Sequence, residues 1–127
     1  MSATRFELIR AGIAAMNEGD YDRTADMFAI DGEVQRVDQF GTVRGREAIR
    51  RWLAPDAIEQ QGAVVALEES GDHVLATCDL RIRGTGSGAE VANTVYVVFT
   101  FRGTQVSRME IYFQQADAAA AAGLGTH

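Results

Sequence analysis

Cysteine is almost absent from this sequence. Cys78 stands alone in 127 residues, so no internal disulfide can form, and a lone thiol suits a reducing compartment. Histidine is nearly as scarce. His73 and His127 share no ligand-like spacing, which leaves no case for zinc, and no cofactor of any kind is expected. Long apolar runs are missing too. None is long enough to span a bilayer, and Met1 to Glu7 lacks the apolar centre of a secretory leader; the expectation is a cytoplasmic protein. Positive charge is in deficit. Twelve Lys+Arg against 18 Asp+Glu leave a net charge of -6, which argues against nucleic acid or an anionic membrane as partner. Gly84, Gly86 and Gly88 lead into a strand rather than a helix and so make no phosphate loop. No internal repeat is visible.

What is present is a strong hairpin. Val91 to Phe101 and Gln105 to Phe113 are rich in β-branched and aromatic residues and flank the turn Arg102-Gly103-Thr104. Side chains alternate along a strand, so Val95, Val97, Phe99 and Phe101 share one face, as do Met109, Ile111 and Phe113. The opposite face carries Tyr96, Val98, Thr100 and Tyr112. The length suits a single domain over residues 1–127 with a core of its own.

The first half supplies helices. Thr4 and Glu7 read as a capping box, and Phe6, Ile9, Ile13 and Met16 recur at helical spacing, which predicts a helix over 4–18, with these four buried, ended by Gly19. Asp20 caps a second helix over about 21–29, with Tyr21, Ala25 and Phe28 inward. Glu33 to Asp38 reads as a strand with Val34, Arg36 and Asp38 on one face. Arg44 to Leu53 is a third helix, closed by Pro55, with Ala48, Ile49, Trp52 and Leu53 on its buried side. Strands follow over Ala63–Glu69 and His73–Arg83, the second with Val74, Ala76, Cys78, Leu80 and Ile82 facing one way. An alanine-rich helix over Gln114–Ala122 ends at Gly123. This order predicts an α+β fold, a curved antiparallel sheet wrapped around N-terminal helices.

The stretches Ala14 to Asp22, Met27 to Asp31, Arg44 to Ile49 and Arg108 to Phe113, the last followed by the alanine-rich helix, resemble the NTF2-like superfamily, and within it the SnoaL-like and ketosteroid-isomerase-like proteins. The resemblance covers nearly the whole chain. It implies a cone with a deep apolar pocket between the curved sheet and the long helix. Activity is not implied with the same force, because this fold hosts isomerases, cyclases, dehydratases, epoxide hydrolases and non-enzymes. Ketosteroid isomerases place a tyrosine on the first helix, a general-base aspartate on the early strand and a protonated aspartate in the last hairpin; here those places hold Gly12, Arg36 and Val97. Ketosteroid isomerisation is therefore not expected. The limonene-epoxide hydrolases use an Asp-Arg-Asp set with one aspartate on the last strand, where this chain has Ile111.

Arg36 and Asp38 are the candidate catalytic pair. Two apart on a strand, they share a face, and the resemblance turns that face into the pocket. Asp38 would be the acid/base and Arg36 its electrostatic partner; a salt bridge at the rim is the alternative. The expected pocket walls are Val34 from the early strand, Cys78 and Leu80 from the long strand, and Val97, Phe99, Met109, Ile111 and Phe113 from the hairpin. Trp52 belongs to core or pocket, and Phe40 suits the pocket lining or a lid. Cys78 reads as a small buried hydrophobe, His73 as a solvated strand end, and the arginines 44, 46, 50 and 51 as a solvated helix face. Two functions fit. One is a SnoaL-like enzyme doing cofactor-free cyclisation, isomerisation, dehydration or hydrolysis on an apolar ring-containing metabolite; the other is a hydrophobic-ligand-binding or accessory protein of the same fold. No helix is left over to cover Tyr96, Val98, Thr100 and Tyr112, so a homodimer through that face is expected.

Overall fold

The computed structural model describes residues 2–36, 41–53, 58–84 and 90–124. The order of elements is α1 (Ser2–Asn17), α2 (Tyr21–Ala25), β1 (Phe28–Arg36), β2 (Val43–Arg44), α3 (Arg46–Leu53), β3 (Ile58–Ser70), β4 (His73–Gly84), β5 (Glu90–Arg102), β6 (Gln105–Tyr112) and α4 (Gln115–Ala122). The strands form one curved, unclosed sheet in the order β2-β1-β6-β5-β4-β3.

The alternation read from the hairpin sets its faces. Val95, Val97, Phe99 and Phe101 are all buried. Across the sheet they meet partners of the same kind: Val97 lies between Ala76 and Ile111, and Phe99 between Val74 and Met109. The rows continue onto β1, where Val34 is level with Met109 and Arg36 with Ile111. This face and the three N-terminal helices enclose the main core.

Among the described residues the chain departs from the sequence reading in several places: Arg44 belongs to β2 rather than to the third helix, and β3 begins at Ile58 rather than Ala63. The sheet is mixed, because β1 runs parallel to β6; α3 lies in the connection that carries the chain from β2 to the far edge, and such a crossover permits parallel pairing. Helix α1 starts at Ser2, so Thr4 lies inside its first turn and is no cap. Helix α2 stops at Ala25, and of the apolar run Met27-Phe28-Ala29, expected on that helix, Met27 lies in the turn and Phe28 and Ala29 open β1. The last departure concerns the outer sheet face. Helix α4 lies across β4, β5 and β6 and buries Leu75 and Val98 against Ala118 and Ala122, with Tyr96 and Tyr112 half-buried at the edges. The patch on which a homodimer was expected is thus covered from within the chain.

Helix ends follow local rules. Gly19 (φ +80°) and Gly123 (φ +78°) take the left-handed conformation that only glycine adopts without strain. Each is followed by a six-to-one bond, from Asp20 N–H to the Ala15 carbonyl at 2.9 Å and from Leu124 N–H to the Ala119 carbonyl at 2.8 Å. Asp20 also caps α2, its Oδ1 accepting from the Arg23 N–H at 3.3 Å. No described helix is long and apolar enough to cross a membrane.

Candidate functional site

A cavity of about 110 Å³ lies between α1, the α2–β1 junction, α3 and the inner face of the sheet. Strand alternation places its floor: Cys78 and Leu80 from β4, Val95, Val97 and Phe99 from β5, and Met109 and Ile111 from β6. Helix α1 contributes Ile13 and Met16, the α2–β1 junction Thr24, Met27 and Phe28, and α3 Trp52 and Leu53; Gln60 and Gly62 of β3 complete the described walls. Ile13, Met16, Trp52 and Ile111, expected to be mostly buried, are partly buried, and each has one side on this space.

The polar groups among these walls are already engaged or neutral. Thr24 Oγ1 donates to the Gly12 carbonyl at 2.8 Å. Gln60 Nε2 donates to the Leu53 carbonyl at 3.4 Å. Burial pushes the Cys78 thiol up to about 11, with nearby Asp79 adding to the effect, so the sulfur is a neutral thiol at ordinary pH. Among the described residues no buried side-chain nitrogen or oxygen lacks a hydrogen bond, and no three His, Cys, Asp or Glu side chains converge as a metal site.

Of the candidates read from sequence, Trp52, Cys78, Leu80, Val97, Phe99, Met109 and Ile111 border the cavity. Val34 does not: at 1% exposure it is sealed in the core, one row deeper than Arg36. Phe113 lies past the end of β6, half-buried against the core rather than among the described walls. Arg36 is likewise outside those walls, yet it is level with Ile111 on the inner face, and its guanidinium carbon sits 5.5 Å from the centre of the Phe113 ring. Asp38 and Phe40 lie outside the described residues. His73 points away from the cavity, its Nδ1 3.0 Å from Thr100 Oγ1.

Apart from Trp52, sequence reasoning missed the helical side of the site. Met16 and Ile13 were assigned to a buried stripe and Met27 to an extended helix; nothing in their spacing distinguishes a wall from a core position. Gly12, which stands where a catalytic tyrosine was sought, is occupied from outside: a Cβ there would lie 2.6 Å from Met27 Sδ. The arginines near α3 are not a plain solvated face either. Arg46 donates twice to the Phe28 carbonyl, at 3.0 and 2.6 Å, where the pairing of β1 with β6 shifts register. Arg50 pairs with Asp22 at 2.6 Å. The groove that these residues line, about 640 Å³, is wide, and charges of both signs meet across it.

The model of the SnoaL-like domain family matches residues 9–109. The chain belongs to the SnoaL-like domain family. None of the curated proteins matches this SnoaL-like chain by sequence. Solved structures do. A hypothetical protein of Catenulispora acidiphila with a ketosteroid-isomerase-like fold, solved in complex with trimethylamine, is 24% identical with a TM-score of 0.77, over 93% of each chain. A putative polyketide cyclase of Xanthomonas campestris is 21% identical with a TM-score of 0.77, over 93% of this chain and 96% of its own. An LEH-like epoxide hydrolase of M. tuberculosis is 17% identical with a TM-score of 0.77, over 97% of this chain and 92% of its own. At these identities the likeness is one of fold, which is NTF2-like.

Proposed function

We propose that the SnoaL-like cavity binds a small apolar molecule and that Arg36 and Asp38 act on it by cofactor-free acid/base chemistry, as a cyclase, isomerase, dehydratase or hydrolase would. The observation that supports this reading is the separation of apolar walls from charge. The described walls carry no ionised side chain, while Arg36 stands level with the wall residue Ile111, and Asp38 follows two residues on in the sequence. Apolar walls bind; a few polar groups orient and transfer protons. That the fold's neighbours include a putative polyketide cyclase and an epoxide hydrolase fits the same class of chemistry.

The test is turnover on small cyclic epoxides and β-hydroxy ketones. Asp38→Asn should leave folding and ligand binding nearly intact and lower kcat by about 10²-fold or more, whereas Arg36→Leu should raise KM more than it lowers kcat. Wild-type turnover by the Asn variant removes the catalytic assignment. The second reading is a binding protein without turnover. It is favoured by the lack of carboxylate or imidazole among the described walls, and binding of apolar ligands with no reaction on any of them would establish it.

A further inference from the structure

The chain has four methionines and one cysteine. Met1 aside, every one of these sulfur atoms belongs to a side chain that lines the same cavity: Met16 from α1, Met27 from the α2–β1 junction, Cys78 from β4 and Met109 from β6. Four separate parts of the chain bring them there. Two of the thioethers rest over glycines. A Cβ on Gly12 would lie 2.6 Å from Met27 Sδ, and one on Gly62 would lie 3.4 Å from Met16 Cε. Each of these thioethers occupies space that a Cβ would have taken, and its three rotors allow the repacking that thioethers show at adaptable binding surfaces.

We infer that this cavity takes a single planar unsaturated ring, neutral and unsubstituted by charge, held edge-on and face-on by methionine sulfur. The inference rests on the reading of the cavity as a ligand site and narrows its ligand class. Size limits the ligand first. About 110 Å³ is somewhat less than the roughly 150 Å³ of an apolar cavity that admits benzene, so the space matches a single ring with modest movement of the methionine ends. Chemistry limits it next. Sulfur set about 5 Å from an aromatic ring attracts it beyond what contact area alone provides, and Phe28, Trp52 and Phe99 offer ring-to-ring contacts in the same walls. A saturated ring of equal size gains none of these. The buried thiol of Cys78 stays neutral and so sets no anion against the π-face of a ring.

The sulfur arrangement also supplies the test. Because all the internal methionines line the cavity, global replacement of methionine by norleucine, which exchanges sulfur for a methylene, acts as a site-directed change. Trp52 is the chain's one tryptophan and a wall residue, so its emission reports occupancy. Toluene and methylcyclohexane are titrated into the native and the norleucine proteins. The expected result is toluene binding about three- to thirtyfold tighter than methylcyclohexane in the native protein, with the ratio falling at least threefold in the norleucine protein. Should the norleucine protein not fold, Met27→Leu and Met109→Leu carry the same ratio measurement one sulfur at a time. Equal affinities in the native protein, or a ratio unmoved by removing sulfur, overturn the inference and leave the small-apolar-ligand reading standing. No change in Trp52 emission with either compound up to its solubility overturns both.

Discussion

Gly12 holds a place in α1 that Met27 fills, and two opposed effects meet there. Glycine inside a helix costs about 1 kcal/mol relative to alanine. A Cβ at this position, however, meets the Met27 sulfur at 2.6 Å, and overpacking a core costs about 1–3 kcal/mol. Met27 Sδ is the far end of a flexible side chain that can give way, so the two terms nearly cancel and Gly12→Ala should move stability by less than about 1 kcal/mol in chemical denaturation. In a Met27→Ala background the obstacle is gone and the same substitution should be stabilising by about 1 kcal/mol, a difference that a double-mutant cycle reads directly. Cys78 makes a second prediction. Its thiol is raised from 9.0 to about 11 in the fold, so between those pH values the unfolded chain has lost a proton that the folded chain keeps. Stability from this group is therefore full below pH 9.0 and is lost as pH rises to about 11, an effect on the order of 2–3 kcal/mol. Urea unfolding of Cys78→Ala should show a shallower decline over that window. Little of this was legible in the sequence: the alternation on β4 marked Cys78 as buried, but no local pattern tells Gly12 that Met27 will cover it.

Helix α4 is the clearest case of an element whose presence the sequence announced and whose job it hid. Gln114 to Gly123 reads as a helix from alanine content and a terminal glycine, and the structure agrees to within one residue. Its packing face consists of Ala118 and Ala122, which contribute so little apolar area that the outer face of the hairpin looked uncovered. Small residues let the helix approach closely, and Val98 beneath it is fully buried. Val98→Glu should therefore act on folding. Placing a carboxylate under α4 leaves it buried without a partner, and the expected loss is about 3 kcal/mol or more, seen as a fall in Tm of well over 10 °C at any protein concentration. A loss that appeared only as a change in sedimentation would point to an interface instead. The hairpin itself was legible because a period of two over eleven residues has one structural solution. The junction at Met27 to Ala29 was not, because three consecutive apolar residues fit a buried helix end and a buried strand start equally well.

Across the whole molecule the architecture follows from a few long-range ties that no window of sequence contains. Arg5 near the start of α1 is one. Its side chain, 16% exposed, bonds Asp72 at 3.1 Å and the Gly71 carbonyl at 3.1 Å in the β3–β4 turn, reaches the Gly103 carbonyl at 3.4 Å in the β5–β6 turn, and lies 5.0 Å over the Phe101 ring. Arg5→Ala should cost about 1–3 kcal/mol, more than an exposed ion pair contributes, and hydrogen exchange should report faster opening at both turns. The α+β class and the SnoaL-like relationship were readable from element order; the parallel junction of β1 and β6 was not, since pairing direction depends on where the chain returns. That junction sets a timetable for synthesis. Arg108 reaches Gln35 across it from 73 residues further along the chain, and a ribosome adding about 5–20 residues per second needs some 4–15 s to cover that distance. For those seconds the nascent chain carries β1, one strand from the sheet's edge, with its inner neighbour not yet made, so the cavity can close only after the last strand has left the exit tunnel.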